Sequence, residues 1–433
     1  MPETPSSKRR LFVYALMFLL AAINYIDRSA LSVAAAPLAK EFQLDPVQLG
    51  YLFSSFLWLY VVCLVPMGLI VDRLGSRTVN ALGIGVWSAA TALTGVVGSF
   101  GALIATRVAM GVGEATTYPA AGRVVREWVP RSERALFTTI FNSGAYFGPA
   151  VGALGLSWVA GVAGWRATFF VCAVAGFVWL AAWLIWFRQP EQTTWLHPGE
   201  RAMILRERGD DVVDESGTGI GLAGLLRSRS MLGMMLTQGC AVYTQYLFLT
   251  WLPTYLQAAR GISMIKSGWL TALPYFGAVI LTIMFGRLSD SLLTADAVRS
   301  GRRRSAVALA MLVASVILLT PFVSDVYVIL VLIMIALSGV ATTVGLNIAL
   351  LSDMLRSRAD AGRATGLLIL GGNIFGILAP IVTGYVVSVT GSFDTAFVVA
   401  GCLLVCGALS SLLLTRRPIV ARSAAAALTT TEA

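Results

Sequence analysis

The sequence predicts an all-α integral membrane protein with twelve transmembrane helices in two pseudo-symmetric six-helix bundles. Composition gives the first indication. Of 433 residues, 57% are hydrophobic and only 12% are charged, whereas a soluble domain carries about 25% charged residues. The apolar residues also form runs of about 20 residues, which is long enough for a helix to cross a bilayer. A single long polar connection divides these runs into two sets of six.

The apolar runs place the spans and the domains. Spans are predicted at residues 11–36, 48–71, 79–99, 101–123, 135–160, 166–187, 231–256, 267–289, 305–322, 326–351, 364–389 and 394–415. The N-terminal bundle then covers 1–188, a cytoplasmic linker with short surface helices covers 189–230, and the C-terminal bundle covers 231–416. A disordered tail is predicted over 417–433. One linker helix is expected from Pro198 to Arg208.

The distribution of basic residues predicts the orientation. Most of the 32 Lys and Arg residues fall in the termini or in connections on one side of the predicted spans. Those on the other side are Lys40, Arg166, Arg260 and Lys266. Because cytoplasmic loops carry an excess of Lys and Arg, both termini are expected in the cytoplasm, with the chain integral to the inner membrane. This bias explains the net charge of +10 without a nucleic-acid partner.

Four charged residues interrupt the apolar spans. Asp27 and Arg28 lie in the first span, and Arg107 and Glu114 lie in the fourth. A basic residue at the bilayer centre costs about 2.5–3.5 kcal/mol, so such groups usually face a polar interior. Arg107 and Glu114 share one helix face, about 10.5 Å apart. We expect Asp27 to pair with Arg107 while Arg28 and Glu114 point into a common cavity; the alternative is a structural ion-pair cluster without a ligand.

Electrostatics predicts a role for each of these groups. Arg28 offers a planar, permanently charged fork that suits a carboxylate, so it is the predicted substrate-binding residue. Glu114, removed from water, is predicted to take and release a proton. Asp27 is the second candidate proton site, and Arg107 belongs to the same proton-coupling group. The proton is the predicted coupling ion, and no cofactor is expected.

A glycine- and charge-rich motif lies in the short loop between the second and third spans. Its members are Gly68, Asp72, Arg73, Gly75 and Arg77. Gly68 is expected to let helices approach closely, and Gly75 permits a tight turn. Asp72 with the arginines can latch one helix end to another, although charges that merely flank a membrane are the simpler alternative. We therefore predict a gating motif.

A partial repeat of this motif ends the eighth span, at residues 286–290. It adds Asp290 to the predicted gating residues. Parallel repeats of six helices place a substrate site near the midplane, where the halves meet. The repeat therefore supports two related halves.

These motifs resemble the major facilitator superfamily, whose signature loop matches residues 68–77. The sequence Asn24-Tyr25-Ile26-Asp27-Arg28 and the fourth-span series from Arg107 to Glu114 are similar to its anion:cation symporter branch. That branch carries sugar acids, tartrate, phthalate and other organic anions. The resemblance implies the major facilitator fold and proton-coupled uptake of a small carboxylate by alternating access. It also implies an arginine in the first span for substrate, and acids in the first and fourth spans for protons.

Several polar residues are candidates to complete the substrate site. Tyr25, Tyr60 and Asn373 are predicted to contact the substrate, the last two because the resemblance implies ligand contacts at these positions. Membrane helices also use Tyr and Asn to hold neighbouring helices together, which is the alternative at each position. Ala145 departs from the sugar-acid pattern, which has a glutamine there. This departure puts a polyhydroxylated substrate in doubt.

A glycine series in the fifth span has two interpretations. Gly144, Gly148 and Gly152, with Pro149, are typical of close helix packing at a kink. The series also resembles a motif of proton-coupled drug exporters, so an exporter by antiport is the second hypothesis. A membrane-embedded enzyme is a remote third, because no Cys/His cluster is present; no catalytic residue or metal ligand is predicted. The expected partners are a small-molecule carboxylate and the lipid bilayer, and the protein is expected to function as a monomer.

Overall fold

The computed structural model describes residues 8–208, 220–292, 301–355 and 360–419. Within these ranges the regular secondary structure is helical, apart from one isolated β-bridge between Leu355 and Ile419. The α-helices are α1 (Leu11–Val33), α2 (Ala35–Phe42), α3 (Pro46–Thr94), α4 (Phe100–Glu114), α5 (Thr117–Trp128), α6 (Arg134–Ala163), α7 (Trp165–Trp186), α8 (Pro198–Arg208), α9 (Gly221–Arg227), α10 (Arg229–Thr254), α11 (Met264–Leu292), α12 (Arg302–Ala314), α13 (Val326–Met354), α14 (Ala361–Thr390) and α15 (Asp394–Leu414). The all-α prediction is confirmed.

The outer faces of the long helices are apolar. Nine helical segments of the described chain are long and apolar enough to cross a membrane. Large side chains on three of them are more than 60% exposed: Val65 and Leu69 of α3, Val178 of α7 and Ile280 of α11. Helices satisfy their backbone hydrogen bonds internally, so such faces are stable against lipid. The protein is a multi-pass membrane protein.

The second and third predicted spans correspond to α3, whose 49 residues form two helical segments that meet at Gly75. Asp45 caps its start through a reciprocal capping box with Gln48. Gly75 alone departs from helical geometry, with φ 85° and ψ 156°, a conformation that glycine adopts without steric cost. The predicted turn at Gly75 is confirmed. This turn is shorter than the loop predicted between 71 and 79, because helical geometry resumes directly after Gly75.

The fourth predicted span, 101–123, is not one helix. It is divided into α4 and α5 immediately after Glu114. The hydroxyl of Thr116 donates to the carbonyl of Gly113 (2.9 Å), and such local side-chain bonds compete with the regular helical ladder. Glu114 therefore lies at the end of α4, beside a local interruption of the hydrogen-bond ladder at which Ala115 and Thr116 keep right-handed helical torsion angles.

Two other predicted spans change character along their length. The first, 11–36, ends as α1 at Val33 and is followed by the short α2. The ninth, 305–322, is α-helical only to Ala314 and continues as a 3₁₀ helix over Ser315–Phe322. Pro321 lies in that segment, and proline removes a backbone donor.

The chain packs as two compact units. The first contains Met1–Val212 and Leu249–Tyr275, and the second contains Val213–Phe248 and Phe276–Ala433. In the first unit Trp251 packs edge-on against Phe53, with ring centroids 5.0 Å apart. The predicted bundles over 1–188 and 231–416 stay predictions. Residues 209–219 of the linker and 420–433 of the tail lie outside the described residues.

The predicted linker helix is confirmed as α8, and a buried charge holds it to the first unit. Glu200 is fully buried. Its carboxylate accepts from the backbone N–H and the Nη1 of Arg10, at 3.0 and 2.8 Å. The Oε2 of Glu200 accepts from the backbone N–H of Arg9 (3.3 Å). The helix is therefore attached to the start of α1.

Arg10 also binds a second carboxylate. Its Nε and Nη2 donate to the two oxygens of Glu133, at 2.8 and 2.5 Å. The hydroxyl of Tyr14 donates to Glu133 as well (2.8 Å). We call Arg10, Tyr14, Glu133 and Glu200 the N-terminal charge network; both of its carboxylates have both oxygens bonded.

Candidate functional site

A glycine seam positions α1 against α6. A Cβ added at Gly148 would lie 2.5 Å from the backbone oxygen of Ala22, and one added at Gly152 would lie 2.6 Å from Oγ of Ser29. A Cβ at Gly144 would meet α1 at 2.8 Å. Real Cβ atoms essentially never make contacts this short, so a larger residue would push α1 away from α6 or, at Gly152, displace the side chain of Ser29. The close-packing interpretation of this series is confirmed.

Arg28 and Glu114 form a buried ion pair. The Nε of Arg28 donates to Oε2 of Glu114 at 2.8 Å, and the two side chains are 2% and 0% exposed. The two residues predicted to point into a common cavity thus contact each other directly, and the cavity itself stays a prediction. Charged hydrogen bonds of this kind are stronger than neutral ones. Burial strengthens the attraction further, because little water screens it.

Aromatic rings enclose the guanidinium of Arg28. Its carbon lies 4.7 Å from the ring centre of Tyr25, 4.9 Å from that of Phe56 and 5.2 Å from that of Tyr60. Ring faces attract cations, by about 2 kcal/mol or more when water is excluded. Two candidate contacts, Tyr25 and Tyr60, are thus brought to the arginine. The rings also remove water from it.

Phe56 was not predicted, and it links the two arginines. The Arg107 guanidinium lies 5.3 Å from the Phe56 ring, on the same side chain that Arg28 contacts. The contact depends on Gly111, where an added Cβ would lie 1.9 Å from the Phe56 backbone oxygen. The glycine therefore lets α4 approach α3. Glycine in the fourth-span motif was a signal of close approach, but the sequence did not say which residue it approaches.

The expected Asp27–Arg107 ion pair is not formed. Within the described chain, neither carboxylate oxygen of Asp27 has a hydrogen-bond partner, and the same holds for Nε of Arg107. Arg107 instead donates to the sulfur of Met110 (2.9 Å). Asp27 faces Trp87 and Cys172. Both charged residues are 1% exposed, so they share the buried interior without direct contact.

The central charge cluster, defined as Asp27, Arg28, Arg107 and Glu114, keeps unused bonding capacity. Besides the atoms just named, Oε1 of Glu114 has no hydrogen-bond partner among the described residues. Asn24, one turn before Arg28 on α1, faces the same carboxylate. Buried polar atoms are bonded in the great majority of cases, and exceptions call for a functional explanation.

The gating motif makes contacts within the first unit. Asp72 accepts from Nη2 of Arg126 at the end of α5 (3.1 Å). Arg77 donates to the carbonyls of Leu184 (2.7 Å) and Phe187 (2.9 Å), so it closes the C-terminal end of α7. Arg73 is exposed. These contacts fit the predicted latching of helix ends, while the gating role itself stays a prediction.

Two further motif residues behave differently. A Cβ at Gly68 would meet nothing within 4 Å, so the expected close helix approach at Gly68 is wrong. The side chain of Asp290 lies outside the described residues.

Two residues that bear on the predicted substrate site lie outside these motifs. Asn373 is half-buried on α14 of the second unit, where its amide donates to the carbonyl of Ile369 (3.0 Å). Ala145 lies on α6 of the first unit and is 8% exposed.

Comparison with known families identifies the fold. The model of the Major Facilitator Superfamily matches residues 17–296 and 234–430. The chain belongs to this superfamily. Its members are transporters and not enzymes, which confirms the predicted fold and the predicted absence of enzymatic function.

Relatives over the full length are named as transporters of organic anions. The probable galactarate/D-glucarate transporter of Bacillus subtilis (strain 168) is 33% identical over 427 residues, covering 95% of this chain and 93% of that protein. The D-galactonate transporter of Escherichia coli O6:H1 is 29% identical, covering 94% and 96%. The probable sulfoacetate transporter SauU of Cupriavidus necator is 30% identical, covering 94% of each.

Among solved structures, a bacterial homologue of the human lysosomal transporter Spinster is similar in fold. Its inward-facing, occupied form matches with a TM-score of 0.73 and 18% identity, covering 95% of this chain and 98% of that one. At this identity the likeness concerns the fold alone.

Proposed function

We propose that the protein is a proton-coupled symporter that takes up a small organic anion by alternating access. The observation that supports this most directly is the buried Arg28–Glu114 pair, in which a permanently charged cation is held by an acid that can be neutralised. The names of the relatives support an organic anion as the substrate. A carboxylate or sulfonate would compete with Glu114 for the same guanidinium.

Charge balance explains why a proton would accompany the substrate. With all four side chains ionised, the central charge cluster has no net charge. An entering anion would leave one negative charge too many in a medium that stabilises charge poorly. Protonation of Glu114 removes that excess and releases Arg28 to the substrate. The proton and the anion therefore favour each other's binding, which is the requirement for symport.

The membrane potential gives the coupling a direction. An anion that enters a negative cytoplasm is opposed by about 2.3 kcal/mol per charge per 100 mV. One proton cancels this opposition for a monoanion, and a second proton would make uptake electrogenic. A dianion such as galactarate would need two protons for balance, and Asp27 supplies a second candidate site.

The location and the substrate class belong to the same proposal. The excess of Lys and Arg on one side supports cytoplasmic termini and an inner-membrane location. Sugar acids are the substrates that most of the relatives' names suggest, whereas Ala145 in place of an amide favours an anion with fewer hydroxyl groups. A substrate screen should therefore include both kinds.

Transport in proteoliposomes tests the proposal. The purified protein is reconstituted with an acidic exterior, and labelled galactarate, galactonate, tartrate and sulfoacetate are offered in turn. We expect at least one anion to accumulate and a protonophore to abolish the accumulation. Accumulation that persists in the presence of the protonophore would contradict the proposed proton coupling. Anion efflux driven by proton entry would identify an exporter.

A further inference from the structure

A cavity lies where α7 ends and the linker begins. It has a volume of about 320 Å³ and is formed by the loop from residue 185 to residue 195. Arg188, Gln192 and Thr194 contribute polar groups to its lining. The volume falls at the lower end of the range for small-molecule sites, about 300–1,000 Å³. It is separate from the central charge cluster.

Hydrogen bonds hold the loop in shape. The indole of Trp195 donates to the carbonyl of Trp186 (3.2 Å), and the hydroxyl of Thr193 donates to the carbonyl of Gln189 (2.9 Å). The guanidinium of Arg9 donates to the carbonyl of Trp195 (2.6 Å), which ties the loop to the chain before α1. The cavity is thus a preformed feature.

The cavity carries an uncompensated positive charge. The Arg188 side chain is exposed, and its guanidinium has no hydrogen-bond or ion-pair partner in the described part of the chain. The nearest acid in sequence, Glu191, is held by Arg208 at 2.7 Å. The amide of Gln192 and the hydroxyl of Thr194 add neutral donors. A guanidinium with flanking donors matches a phosphate or other oxyanion.

One side of the loop is apolar and aromatic. Phe12 packs edge-on against Trp186 and Trp195, with ring centroids 5.8 and 5.7 Å away. Ile185 and Trp186 are 61% and 45% exposed. Tryptophan is enriched at the membrane–water boundary, where its ring sits at the headgroup level. The anion-binding groups are therefore placed at headgroup depth, beside side chains that face acyl chains.

We propose that this cavity binds the phosphate of an anionic phospholipid. Basic pockets at membrane-protein surfaces bind such headgroups. The exposed Ile185 and Trp186 next to the cavity favour a lipid over a free anion, because a free phosphate makes no use of them. The site does not depend on the transported substrate or on proton coupling.

Native mass spectrometry of the full chain tests the proposal. The protein is purified in detergent and offered equal amounts of dioleoyl phosphatidylglycerol and dioleoyl phosphatidylcholine. We expect the wild type to retain phosphatidylglycerol preferentially. Arg188→Gln should reduce that preference by about fivefold, the ratio expected for one basic group near an anionic headgroup. Arg188→Lys should retain most of it, because Lys also binds phosphate as a point charge.

Arg206→Gln is the matched control. Arg206 is exposed on α8. The substitution removes the same charge at a position that does not line the cavity, so the preference for phosphatidylglycerol should stay at the wild-type level. The proposal is wrong if the wild type shows no preference, if Arg188→Gln leaves it unchanged, or if Arg206→Gln reduces it equally. Displacement of phosphatidylglycerol by added inorganic phosphate would show a free-anion site instead and would also overturn it.

Discussion

The first unit contains two charge clusters, one partly and one fully buried, that differ in how completely their polar atoms are bonded. In the N-terminal charge network, both oxygens of Glu133 and of Glu200 accept hydrogen bonds. In the central charge cluster, both oxygens of Asp27 and Oε1 of Glu114 have no partner among the described residues. An unsatisfied buried polar atom costs about 1–3 kcal/mol. The first cluster is thus arranged for stability, and the second retains capacity for a ligand or a proton.

The largest expected effect comes from removing the guanidinium of the central charge cluster. Arg28→Ala should reduce uptake by about thirtyfold or more, because the loss of one partner from a buried charge pair costs at least about 2 kcal/mol of binding. Arg28→Lys should also transport poorly, since lysine lacks the planar fork. Initial rates of labelled-substrate uptake in proteoliposomes provide the measurement. Wild-type uptake rates in Arg28→Ala would show that the central charge cluster, like the N-terminal charge network, has only a structural role.

Neutralising the acid of the same pair should separate exchange from accumulation. In Glu114→Gln the pair loses its ionisable partner, so we expect substrate counterflow to survive and proton-driven accumulation to be lost. Counterflow should also lose its dependence on pH. Glu133→Gln is the matched control from the N-terminal charge network, and its accumulation should stay coupled to the proton gradient. Loss of counterflow in properly folded Glu114→Gln would make Glu114 structural.

The N-terminal charge network should respond in stability instead. Glu200→Gln leaves Arg10 buried with one carboxylate fewer, and breaking a buried pair costs about 3–5 kcal/mol. We expect a lower midpoint in thermal unfolding of the purified protein, with unchanged pH dependence of transport by the molecules that remain folded. A changed pH profile would remove the functional distinction between the two clusters.

A smaller effect is expected at Phe56, which faces both arginines of the central charge cluster. Phe56→Leu keeps an apolar side chain but removes the ring face. A cation–ring contact contributes about 0.5–2 kcal/mol, so KM for the transported anion should rise between about twofold and thirtyfold. Phe141→Leu, also at a buried phenylalanine but in the apolar core, should leave KM unchanged.

The smallest effect is expected at the exposed pair between Asp72 and Arg126, whose side chains are 63% and 59% exposed. Exposed ion pairs contribute about 0–1 kcal/mol. Asp72→Asn should therefore change the unfolding midpoint much less than Glu200→Gln. If Asp72→Asn nevertheless slows transport, the motif acts on the rate of conformational change, as predicted for a gate. An equal loss of stability in both variants would contradict the importance of burial.

The sequence predicted these features unevenly, for physical reasons. Spans could be predicted because apolar length is a one-dimensional property, and Arg28 and Glu114 stood out because charges in apolar runs are rare. The interruption of the hydrogen-bond ladder after Glu114 could not be predicted, because apolar length does not report local contacts such as that of the Thr116 hydroxyl with the Gly113 carbonyl. Phe56 could not be distinguished from other apolar residues. Phe56 lies beside both arginines because α4 approaches the backbone of Phe56 closely at Gly111.

The Asp27–Arg107 pairing failed for a related reason. Helical spacing gave the correct face for each residue but not the rotation of α1 relative to α4. That rotation follows from contacts between helices, which no single span encodes. The buried position of Glu200 was equally hidden, because a charged residue in a polar linker normally predicts exposure.

The seam at Gly148 and Gly152 also limits which substitutions this part of the protein accepts. At Gly148 an added carbon would overlap the backbone oxygen of Ala22, so even alanine would have to push α1 away from α6. Because Arg28 lies on α1, that displacement would shift its guanidinium relative to Glu114 and the surrounding rings.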